Sequence, residues 1–180
     1  MNERQVTHHS YARAAGWVGF LLVLAYALTG SLQVLIWNPL AAAPGSTLTE
    51  ILETTPSLEG SSTIPMVLLW ASLGIVFATL GLHLSLRWKI STLLVIRCFL
   101  WLLVLGAPGL MFVSFPTGLG LADTYGISGA DLAPWASLLY VSSAAALVIL
   151  VLLAHRNHRG KLDADVATAG PPLSSGEDRG

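Results

Sequence analysis

Residues 64–113 read IPMVLLWASLGIVFATLGLHLSLRWKISTLLVIRCFLWLLVLGAPGLMFV, two apolar runs either side of a basic turn, Arg87-Trp88-Lys89. The first run, 64–86, carries no charged side chain apart from His83, and the second, 90–113, is interrupted only by Arg97. Each exceeds the roughly 20 helical residues that cross about 30 Å of hydrocarbon. Only a helix satisfies every backbone N–H and C=O inside one such segment. The short link makes the two helices antiparallel neighbours. Arg87 and Lys89 assign the turn to the cytoplasm by the positive-inside bias.

The composition agrees: 54% of residues are hydrophobic and 11% charged, against roughly 25% charged in ordinary soluble domains. The one cysteine, Cys98, excludes an intramolecular disulfide and a Cys-x-x-Cys redox or zinc site. No basic cluster is dense enough to indicate nucleic acid as a partner, and no P-loop or dinucleotide fingerprint is present.

Outward from the hairpin, residues 1–13 form a polar cytoplasmic segment with Arg4, His8, His9 and Arg13. A first span follows over about 14–37. A signal peptide competes here, with Ala41-Ala42-Ala43 as cleavage site, but its apolar region would be roughly 7–15 residues and this run is longer. Trp37-Asn38-Pro39 should end the span, because the residue before proline is driven out of the α region. Thr47 and Glu50 have capping-box spacing and open a short outer surface helix over about 48–55, stopped by Pro56. The hairpin supplies spans at 64–86 and 90–113. Residues 114–129 then read as a Gly-rich outer loop, and Ser128 with Asp131 should cap a fourth span over 131–154. The basic run from His155 to Lys161 stops that span, and the Pro, Gly, Ser and acidic character of 162–180 extends it into a disordered cytoplasmic tail, 155–180.

The sum is an all-α integral membrane four-helix bundle with both termini in the cytoplasm. Every Lys and Arg lies on the N-terminal segment, at or just beyond the hairpin turn, or at the C-terminus. The outer stretches 38–63 and 114–130 contain none. The opposite orientation would place no basic residue inside.

Small residues recur on the second span at Ala71, Gly74, Ala78, Gly81 and Ser85, one helical face on which neighbours can approach. A shorter seam, Ala15, Gly19, Ala27 and Gly30, lies on the first span, and Ser142, Ser143 and 144–146 supply one on the fourth. The third is bulky through Phe99, Leu100, Trp101, Leu102 and Leu103. This places span two centrally and span three against lipid or a partner. Pro108, between Gly106 and Gly109, should kink or fray the outer end of span three and is the candidate hinge.

Arg97 is the leading functional candidate. Counted from Lys89 it lies about 12 Å along a helix. Its partners would be hydroxyls, carbonyls, an anionic lipid or an acid on another subunit, since no span contains Asp or Glu. The plain reading is a side chain that snorkels to the inner interface. His83, one turn from Arg87, could line a proton path, or rest at the interface as such histidines more often do. The histidines do not supply facing pairs for haem, and no metal set has carboxylate or thiol ligands at suitable spacing. The outer acids Glu50, Glu53, Glu59, Asp123 and Asp131 read as caps and solvated groups. Gln33 and Thr29 can hydrogen-bond across helices. Trp17, Trp37, Trp88 and Trp135 fit interfacial belts, whereas Trp101 lies mid-span and needs a partner for its N–H.

No catalytic constellation and no cofactor site emerge. The reading is a non-enzymatic accessory, scaffolding or assembly subunit acting through helix–helix contacts, with the lipid bilayer, other membrane subunits or its own copies as partners. The alternative is a small oligomeric transporter or channel with Arg97 as an anion or substrate contact.

Overall fold

The computed structural model describes residues 3–55, 63–129 and 131–169, with side chains over 10–55, 63–129 and 131–159. Among these residues the chain is all-helical, and four helices are long and apolar enough to cross a membrane. In order the helical elements are α1 (Glu3–Leu32), a π-helical turn (Gln33–Trp37), α2 (Asn38–Ala42), α3 (Leu48–Thr54), α4 (Thr63–Arg87), α5 (Thr92–Tyr125) and α6 (Trp135–Ala169). The hairpin α4–α5 stands where its sequence placed it. Pro56 and residues 170–180 lie outside the described residues.

Three boundaries differ from expectation. The first helix does not stop at Trp37; helical backbone continues to Ala42. Pro39 has no N–H, and its ring would press on the carbonyl one turn earlier. The π-helical turn absorbs this: the N–H of Asn38 donates to the carbonyl of Gln33, five residues back, and Pro39 falls in the first turn of α2. The helix also begins at Glu3 rather than near 14.

The second difference is larger. The stretch read as a Gly-rich loop from 114 is helical as far as Tyr125, with Pro108 and Pro116 inside the helix and Gly126 closing it at φ 64°. The helix runs on through Pro108 without fraying there. Local propensity is overridden by packing, because Leu121 is 1% exposed in a cluster with Ala42, Ala43 and Ile51. At 34 residues and 1.5 Å per residue, α5 is about 50 Å long, well beyond the hydrocarbon thickness.

Third, α6 opens at Trp135, not at 131, and Ser128 does not cap it. The carbonyl of Pro134 instead accepts from the N–H and hydroxyl of Ser137. The same helix runs past the basic stop to Ala169, so 155–169 is not the coil expected of a tail. This stretch holds one glycine, no proline and several good helix formers, which favours continuation.

The surface helix forms as predicted. The Thr47 N–H donates to Glu50 Oε2 at 2.7 Å, and the Glu50 N–H donates to Thr47 Oγ1 at 3.3 Å. Ile51, fully buried, anchors this helix against the outer end of the bundle.

The helices pack with α1 and α5 as the central pair: α4 lies against both, and α6 lies against α5 and more lightly against α1. The second span packs closely against both α1 and α5, the two neighbours expected for it, and α6 is the more lightly held helix. Its seam also receives a side chain. Phe99 of α5 sits between Gly19 and Gly81, and a Cβ added at Gly81 would lie 3.3 Å from that ring. In the outer half Trp70 covers Gly30 and Gly109, while Tyr26 covers Gly106, where an added Cβ would come within 2.6 Å. The two aromatic rings stand 6.2 Å apart. Glycine here makes the hollow and an aromatic ring from a neighbour fills it, a dispersion contact that does not depend on water.

Candidate functional site

The pairings Gln33–Ala133, Tyr26–Ser143 and Arg97–Leu153 fix the register of α1, α5 and α6, and they separate two polar regions at opposite ends of the bundle.

The first is at the end of the bundle that carries α2 and α3. Asn38, brought in by the π-helical turn, is 4% exposed, and its Oδ1 accepts the Leu132 N–H at 2.7 Å. Tyr140 donates its hydroxyl to Asp131 Oδ2 at 3.1 Å. These residues, with Ser114, Phe115 and Gly118, line a cavity of about 210 Å³. Small-molecule sites usually begin near 300 Å³, so this one suits a few waters or a small ion rather than an organic substrate. Gly118 is required at its edge, because a Cβ there would meet the Gly129 carbonyl oxygen at 2.8 Å. Gln33 is fully buried and its Nε2 donates to the Ala133 carbonyl at 3.4 Å, while its Oε1 has no partner among the described residues. Thr117 Oγ1 is buried and unpartnered in the same sense. Nearby on the surface, the two backbone and side-chain bonds from Thr47 hold the Glu50 carboxyl below its ordinary value.

A small polar relay crosses the mid-bundle. The Tyr26 and Ser143 hydroxyls are hydrogen-bonded to each other at 3.0 Å, and Ser143 Oγ lies 2.8 Å from the Leu103 carbonyl oxygen, which accepts from it.

At the opposite end Arg97 is half-buried, and one guanidinium nitrogen donates to the Leu153 carbonyl of α6 at 3.3 Å. His83 is exposed on the outer side of α4 beside Ile75, Val76, Thr79 and Leu80. Of the seam on that helix, Ala71, Ala78 and Ser85 are buried, and Gly74 and Gly81 are half-buried. Pro108 is exposed. No group of His, Cys, Asp and Glu that could hold a metal ion occurs among the described residues, and Cys98 is exposed.

Comparison with protein-family models, curated proteins and solved structures finds no match to this chain.

Asn38, Tyr140, Tyr26 and Trp70 escaped sequence reasoning. Asn38 follows a tryptophan and precedes a proline that both read as a helix end, and the tyrosines carry no local signal for the partners they meet about 10 and 117 residues away.

Proposed function

We propose that this chain is a multi-pass cell-membrane protein with both termini in the cytoplasm, and that it acts as an accessory or assembly subunit through helix–helix contacts within the membrane. The orientation rests on the distribution of Lys and Arg, which confines them to one side of a four-span arrangement. The docking role rests on one observation, the outward side of α5. Trp101, Leu105, Phe112, Phe115 and Leu119 are 52%, 59%, 71%, 65% and 47% exposed and recur at helical spacing. Leucine and phenylalanine suit lipid, but Trp101 does not. It lies about 15 Å from the N-terminal end of α5, close to mid-bilayer, with its indole N–H unpartnered among the described residues. Tryptophan concentrates at interfaces because that N–H needs an acceptor, which hydrocarbon does not offer. A helix presenting a hydroxyl or carbonyl to Trp101 supplies one.

Photo-crosslinking in native membranes tests the reading. A photoreactive residue at Leu105 should yield a discrete protein adduct, while one at Val76, equally exposed on α4, should yield lipid adducts. Lipid adducts from both positions would overturn it. The transporter reading gains less, since Arg97 is engaged at the α5–α6 contact and no described feature joins it to the outer cavity.

A further inference from the structure

We infer that the inner end of the α5–α6 groove is a binding site for the phosphate of an anionic phospholipid, with Arg97 as its principal ligand. Three observations carry this.

The first is depth. Helix α5 starts at Thr92 with Ser91 as its cap, so residues 90–91 add no helical rise. Arg97 is then about 9 Å along the helix from its end, shallower than a count from Lys89 suggests. Helical side chains lean toward the N-terminus of their helix, which for α5 is the end bearing the basic turn. The guanidinium therefore extends toward the headgroup layer.

The second is direction. Going down α5 from Leu103 to Arg97, the partner on α6 moves from Ser143 to Leu153, so the helices are antiparallel. Carbonyls point toward a helix's C-terminus, so the donor to the Leu153 oxygen sits on the headgroup side of that residue. The next turn of α6 there is Arg156 and Asn157, both exposed. The buried row of α6, Ala136, Leu139, Ser143, Ala146 and Leu150, continues at the same spacing through half-buried Leu153 to Asn157. Asn157 thus lies on the α5 side, and Arg156 flanks it.

The third is charge. Arg97 meets a neutral carbonyl, and the acids whose side chains are described, Glu50, Glu53, Asp123 and Asp131, all lie toward the other end of the bundle. Guanidinium presents five N–H donors in a planar fork matched to phosphate oxygens, of which this carbonyl takes one. A partly desolvated cation without a carboxylate draws an anion, and basic grooves between membrane helices at the cytoplasmic face take phosphorylated headgroups.

The full chain reconstituted in nanodiscs of mixed phosphatidylcholine and phosphatidylglycerol, with bound lipid counted by native mass spectrometry, tests the site. The wild type should retain phosphatidylglycerol above its share of the bilayer. Arg97→Gln should lower that enrichment about fivefold, the factor one basic side chain carries at an anionic surface. Arg87→Gln, which removes the same charge from the exposed turn, should change it less than twofold. Equal losses from both variants would reduce the effect to diffuse surface charge and overturn the site. Unchanged enrichment in Arg97→Gln would do the same. If Arg97→Gln does not fold, Arg156→Gln replaces it, with a loss greater than that of Arg87→Gln expected and an equal one fatal. Displacement of the retained lipid by inorganic phosphate would assign the groove to a free anion and not to a lipid.

Discussion

The two ends of the bundle are held by different chemistry. At the outer end, short elements that could not stand alone are tied to the long helices: α2 and α3 share a buried cluster with Leu121, Asn38 fixes the Leu132 N–H, and Thr54 meets the Tyr125 hydroxyl at 3.0 Å. At the inner end a two-helix hairpin closes on a basic turn, and Arg97 reaches a single carbonyl of α6. The short elements rely on burial and backbone satisfaction, whereas the long helices are held along their length by rings seated on glycine, Phe99 toward the hairpin turn and Tyr26 and Trp70 further along.

The sharpest way to break this contrast is at Gly118. Gly118→Leu places a side chain against the Gly129 carbonyl, backbone that cannot step aside cheaply. It should destabilise the outer end by about 3 kcal/mol or more, at the upper limit of overpacking. The readout is thermal unfolding in detergent, and a melting temperature within error of wild type would show that the outer cap is not packed as described.

Gly106→Leu tests the ring-on-glycine principle. It displaces Tyr26 and should cost about 1–3 kcal/mol. The relay is probed separately by Tyr26→Phe, worth about 0.6 kcal/mol as membrane hydrogen bonds go. Equal losses from the two variants would make the hydrogen bond, not the packing, the important contact.

The outer polar residues should separate from each other. Asn38→Leu strands the Leu132 N–H and should cost about 1–2 kcal/mol, the lower part of the range for an unmet donor because this one is only part-buried. Gln33→Leu removes one long hydrogen bond together with an oxygen that already lacks a partner, so its effect should stay within about 1 kcal/mol. A large loss at Gln33 would indicate that this oxygen engages a buried water.

The smallest effect concerns pH. The capping bonds from Thr47 lower the Glu50 carboxyl in the folded state relative to its ordinary value near 4.5. Its support for α3 is complete above that ordinary value and fades as pH falls through the lowered one. Amide exchange over 48–51 should accelerate in that acid window, and Glu50→Gln should flatten the dependence. A profile identical in the variant would remove Glu50 as its source.

The hydrophobic runs at 14–37, 64–86, 90–113 and 131–154 sufficed to establish four apolar helices and the hairpin, because lipid leaves a backbone no choice but to pair with itself. The Thr47–Glu50 cap was equally legible, being a contact three residues long. What the residue pattern could not supply was long-range. Nothing in 114–125, with its glycines and Pro116, announces a helix until Ala42, Ala43 and Ile51 are placed against Leu121. Nor does Trp37-Asn38-Pro39 announce a π-helical turn that carries Asn38 to Leu132. Which ring fills which hollow was likewise decided by shape: the hollow at Gly81 on α4 is filled by Phe99 from α5. Local hydrogen bonding and hydropathy act within a segment, so the sequence determines them by itself. Packing among segments is settled only when the tertiary structure brings complementary surfaces together.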